Sequence, residues 1–255
     1  MSQNLAVRTV AGKIFAAIGI SVWVLLGLFG FTLAAFALIF ALIPDDVGRY
    51  LTSTSPGLFT LIALQYVITL AVVVGVPFLI RRWSKAEAEN LKQVMGVLAA
   101  PRFRYILAIP LVWAVYLIVS NIVVALATSV PGFNADEVQD VGFSNMSHYG
   151  EFVLAFIALV ILAPLVEELL FRGYLFGKLR AIGGFWPSAI LTSIIFGVAH
   201  QQWNVGIDVF VLSLFLCALR EKSGSIWAGV GLHAFKNSVA YFLLFIGPLI
   251  GINVN

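Results

Sequence analysis

Pro164-Leu165-Val166-Glu167-Glu168-Leu169-Leu170-Phe171-Arg172-Gly173 lies inside an apolar run that begins near Phe152. Its length marks the run as a membrane-spanning helix. Such a helix is expensive to charge, at roughly 2.5–3.5 kcal/mol for each ionisable residue near mid-bilayer. Glu167, Glu168 and Arg172 therefore need partners or a task. Glu168 and Arg172 stand i,i+4 with the acid on the N-terminal side, the favoured order for a helical ion pair. Glu167 points about 100° away from Glu168 and is left without a local cation. Pro164 removes one backbone hydrogen bond beside the acids and is expected to kink or loosen the helix.

The rest of the chain supports a membrane setting. Of its 255 residues, 61% are hydrophobic and only 11% are charged, whereas soluble domains average about 25% charged. The fold class is all-α, a polytopic transmembrane helical bundle. A formal net charge of +3 raises the question of nucleic acid. The basic residues form no stripe, however, and fall in short loops between apolar runs, so membrane lipid is the expected partner and nucleic acid is not. Cys217 is the single cysteine. It permits no internal disulfide or cysteine metal cluster, and in an apolar run it reads as inert packing.

Apolar runs extend over residues 14–43, 58–80, 105–127, 152–176, 187–203 and 205–219, and from Ile226 to Ile252. The last is one tilted helix or two that break near Asn237 or Gly247, so seven or eight helices are expected. Ser84 and Glu87 have the spacing of a capping box. Leu91, Val94, Met95 and Leu98 follow at i, i+3, i+4, i+7, which predicts one interfacial amphipathic helix. Arg8, Lys13, Arg81, Arg82, Lys178, Arg180, Arg220 and Lys222 fall on one set of alternating ends. Asp45, Asp46, Asp136, Glu137 and Asp140 fall on the other. That asymmetry places the N-terminus in the cytoplasm, and in the plasma (inner) membrane if the host is bacterial.

Two further runs carry polar groups at helical spacing. Phe196 and His200 are i,i+4, and so are His233 and Asn237. At 1.5 Å per residue, Glu167 lies about 16 Å from Lys178, His200 about 20 Å from Pro187 and His233 about 12 Å from Ser225. All three distances run from the same side, so the three groups are compatible with one layer. Lys236 adds a charge beside Asn237 and is expected to snorkel or to pair with Glu168 or Asp208.

Glu167-Glu168-x-x-x-Arg172-Gly173, Phe196-x-x-x-His200 and His233-x-x-x-Asn237 together resemble the three motifs of the CPBP intramembrane protease family. That family includes CAAX prenyl endopeptidases of the Rce1 type and bacterial Abi and bacteriocin-processing proteins. The resemblance covers roughly residues 150–240. It implies that Glu167 and His200 activate a water, that His233 and Asn237 stabilise the oxyanion, and that Glu168, Arg172 and Phe196 support the site. Residues 1–255 then form a single membrane domain, with N-terminal helices and the interfacial helix in 1–130 and catalytic core helices in 150–240.

Within the family both metalloprotease and glutamate-protease readings exist. Glu167, His200 and His233 would be a zinc set with one open position. The chain has no His-Glu-x-x-His motif, and the glutamate-type, metal-free reading is preferred, with zinc as the alternative cofactor. The expected function is an intramembrane endopeptidase acting on a membrane-associated peptide or protein, with a lipidated tail as one candidate. A non-enzymatic scaffold or immunity protein on the same fold is the alternative. A proton-coupled transporter is a third reading, and it would call for an inverted repeat that the sequence does not show.

Overall fold

A computed structural model describes residues 9–84, 90–100, 103–135, 137, 141–143 and 146–252. The described residues contain helices and turns and no strand. Six helices are long and apolar enough to cross a membrane. They are α1 (Val10–Leu42), α3 (Ser55–Trp83), α6 (Ile109–Ala127), α7 (Tyr149–Ile182), α9 (Trp203–Ser223) and α10 (Trp227–Ile250). A shorter apolar helix, α8 (Phe185–Ala199), joins them. Between them lie α2 (Asp45–Ser53), α4 (Leu91–Val94) and α5 (Phe103–Leu107). This is an integral membrane protein built as a helical bundle.

Several helix ends follow from local chemistry. The Thr9 hydroxyl accepts from the Gly12 N–H and caps α1, and Thr54 does the same for α3 through Gly57. Glu151 caps α7 by accepting from the Ser147 and His148 N–H groups, and it also accepts from the Ser55 hydroxyl. The start of α7 is thus tied to the start of α3. Pro164 has the predicted effect. A wider π-helical turn over Ile157–Leu162 precedes it, where its missing N–H leaves the backbone ladder without a donor, and a second follows at Glu168–Leu175.

The last apolar run takes the first of its two alternatives and forms one helix, α10, which loosens into a π turn at Phe242–Ile246 and a 3₁₀ turn at Gly247–Ile250. Two expectations change. The sixth run is no short segment, since α9 has 21 residues. The long amphipathic helix is not formed among the described residues, where α4 covers only Leu91–Val94. Ser84 closes the C-terminus of α3 through its N–H to Ile80 O, and Glu87, the other half of the capping box, lies outside the described residues. Gly96 adopts φ +68°, a left-handed backbone that stops a helix. The chain around it enters the bundle. Gly96 O accepts from the Ile226 N–H, Ala99 O accepts from the Ser225 hydroxyl, and Met95 O lies against Gly173.

Helices α8 and α9 are packed along each other, with α6 and α10 against α9. α8 and α9 approach closely at Gly197 and Gly206. A Cβ on Gly197 would meet Gly206 O at 2.7 Å, so only glycine allows the two backbones this near. α8 stops at Ala199, and His200 serves as its C-cap. Gln201 follows with φ +56°, alone among the described non-glycine residues in that region. The fifth run therefore turns at His200 instead of continuing to Trp203.

Candidate active site

Glu168 and Arg172 pair as the spacing required. Arg172 Nη1 donates to Glu168 Oε1 at 2.8 Å, and both side chains are fully buried. The same oxygen receives His233 Nδ1 from α10 at 3.2 Å. A carboxylate already holding a guanidinium can only accept, so Nδ1 carries the proton of the His233 ring. Gly229, one turn earlier on α10, makes this approach possible, since a Cβ there would fall 2.7 Å from Glu168 Oε2.

Phe196 of α8 lies at the centre of the cluster, with no exposed surface. Arg172 Cζ stands 4.4 Å from its ring centroid, within range of a cation–π contact. The rings of Phe171, His200 and His233 meet it edge-on at 4.8, 4.9 and 5.9 Å. One aromatic ring thus touches members of all three motifs.

Glu167 points away from the Glu168–Arg172 pair, as the helical wheel requires. Its side chain is 18% exposed, and Oε2 lies 3.8 Å from His233 Nε2, beyond hydrogen-bond reach. Its Oε1 accepts from the Tyr66 hydroxyl of α3 at 3.0 Å. Glu167, Tyr66, Gln65, Thr69 and His200 line one cavity of about 230 Å³ with Phe196 at its wall. A water molecule occupies about 30 Å³ of liquid, so the space admits several. His200 Nδ1 bonds to Phe196 O at 2.8 Å. A carbonyl can only accept, so Nδ1 holds the proton and neutral His200 has its lone pair on Nε2.

The cavity lining includes neither His233 nor, one turn further along α10, Asn237. Its Nδ2 donates to Leu159 O at 2.8 Å, in the π turn of α7. Of the two expected partners for Lys236, the one found is Asp208, with Nζ to Oδ2 at 3.5 Å. Asp208 Oδ1 also accepts from the Tyr116 and Ser120 hydroxyls of α6. This second polar cluster holds α6, α9 and α10 together, and the sequence reading did not assemble it.

A larger recess, about 410 Å³, lies on the opposite face of α8 beside Val198, Gln201 and Phe210. It is apolar and turned away from Glu167, so size does not mark the chemistry here. Among the described residues no three His, Cys, Asp or Glu side chains are grouped to hold a metal ion.

Residues 149–239 match the family model Type II CAAX prenyl endopeptidase Rce1-like. This segment is similar to that family. It contains Glu167, Glu168, Arg172, Phe196, His200, His233 and Asn237, and so the resemblance carried by the motifs is shown over that span. An Escherichia coli protein, "Uncharacterized 24.3 kDa protein", is 34% identical over 86 residues, 32% of this chain and 40% of its own length. The "Putative membrane peptidase YdiL" of Bacillus subtilis (strain 168) is 26% identical over 85 residues, 33% of this chain and 35% of its own length. The matched part is thus well under half of either curated relative. No solved structure matches the chain.

Tyr66 lies outside the Rce1-like segment and was not singled out from the sequence. A signal existed, because Gln65-Tyr66 is a polar pair inside an otherwise apolar run.

Proposed function

We propose that the protein is an intramembrane endopeptidase of the glutamate type. The observation that carries this reading is the single cavity shared by Glu167 and His200. Glu167 is the general base, and the Nε2 lone pair of His200 holds the same water. Attack on a peptide carbonyl develops negative charge on its oxygen, which preorganised donors stabilise. Asn237 has one amide N–H beyond the bond to Leu159 O. His233 has Nδ1 committed to Glu168, so it donates through Nε2 only when protonated. Glu168 and Arg172 hold His233 in place, and no step passes through a metal. The Rce1-like match supports a peptide or protein substrate near the bilayer, a lipidated tail among the candidates, and the loop charges support a cytoplasmic N-terminus.

The test compares new protein N-termini in membranes from cells carrying the wild type or Glu167→Ala. Peptides that arise only with the wild type identify the substrate. Identical profiles, from a variant present at normal level, overturn the reading and leave the scaffold alternative.

A further inference from the structure

We infer that Tyr66 is a positioning residue of the site, holding the Glu167 carboxylate in its working orientation. The inference rests on Glu167 being the base. Its starting point is the 3.0 Å bond from the Tyr66 hydroxyl to Glu167 Oε1. Glu167 Oε2 stands 3.8 Å from His233, so the Tyr66 bond is the short contact that fixes the carboxylate. A glutamate has three rotatable side-chain bonds, and a base must present its lone pair within a few tenths of an ångström of the correct place. Accepting at Oε1 fixes the plane of the carboxylate and leaves Oε2 toward the side where His233 lies.

Tyr66 is itself set on a braced element. Thr69, one turn on, exchanges a hydroxyl contact with Thr32 of α1 at 3.2 Å, and Trp23 Nε1 donates to Val73 O at 3.0 Å. Thr32 also donates to Gly27 O at 2.8 Å. α1 and α3 are thus pinned to each other at two polar points near the cavity, and the bond to Gly27 O holds the Thr32 side chain within α1. Rigid support of this kind is what a positioning group needs. The N-terminal helices, outside the Rce1-like segment, in this way complete the site.

The experiment uses the full chain in vesicles of phosphatidylethanolamine and phosphatidylglycerol. The infrared carboxylate stretch of Glu167 is isolated as the difference between wild type and Glu167→Gln. Tyr66→Phe removes only the hydroxyl and is expected to move that band. An unmoved band overturns the inference. Kinetics follow on a quenched peptide spanning a Glu167-dependent cleavage site from the N-terminal comparison. Tyr66→Phe is expected to lower kcat about 10- to 100-fold, the worth of one hydrogen bond to a charged group, with KM nearly constant. Unchanged kcat overturns it, as does a rise in KM alone. Replacement of Tyr66 by 3-fluorotyrosine, which keeps the donor, is expected to restore both the band and the rate. If Tyr66→Phe folds poorly, this substitution decides: a band and rate like the wild type's support the inference, and loss of either overturns it. Full cleavage by Glu167→Gln sinks the proposed function instead, while the infrared band still reports on Tyr66.

Discussion

The Arg172 guanidinium lies over the ring of Phe196, with Cζ 4.4 Å from the centroid. A cation inside a membrane protein is thus held by a carboxylate on its own helix and by an aromatic face on the next. The arrangement joins α7 to α8 at the level of the candidate site. Replacing Phe196 by leucine keeps most of the bulk and removes the π face. The expected loss is about 1–2 kcal/mol, from the cation–π contact and the edge-on contacts to His200 and His233. Unfolding of the purified protein in detergent measures it. A variant as stable as the wild type would show that the ring contributes bulk alone.

Glu168 and Arg172 should behave as a unit. Arg172→Met leaves a fully buried carboxylate with only the His233 ring, and the expected cost is about 3–5 kcal/mol. Glu168→Gln together with Arg172→Met removes both charges, so the double variant is expected to be more stable than Arg172→Met alone. A double-mutant cycle by detergent unfolding reads the coupling, and simple additivity would refute it.

Gly173 is where the chain before α5 touches α7. A Cβ there would stand 2.6 Å from Met95 O, and a backbone carbonyl cannot move aside as a side chain can. Gly173→Ala is expected to cost about 1–3 kcal/mol as an overpacking change. Limited proteolysis near residues 90–100 is expected to speed up, because the segment loses its seat. Unchanged cleavage would show that the hydrogen bonds of Gly96 and Ala99 hold the segment without that contact.

Much of this was legible in the sequence because spacing on a helix is rigid. The Glu168–Arg172 pair needed only the i,i+4 rule, and the isolation of Glu167 from it needed only the 100° step. Pro164 announced the loosened turn that precedes it. Other features depended on distant partners. Leu91, Val94, Met95 and Leu98 have helical periodicity, yet Gly96 turns the chain into the bundle, where carbonyls of residues 95–99 find Gly173, Ile226 and Ser225. Burial of those groups outweighs a weak local preference for helix. His200 has the spacing to share a helical face with Phe196, but α8 ends one residue before it.

The sequence by itself determined the bundle, because stretches of that length and apolarity have no other stable solution in a bilayer. It also determined which charges could neutralise each other along one helix. Only the tertiary structure decided what Glu167 touches. Tyr66 is 101 residues away in the chain and Asp208 is 92 from Tyr116. No periodicity encodes such meetings, since they depend on how whole helices are rotated and set at depth by packing at points such as Gly197, Gly206 and Gly229.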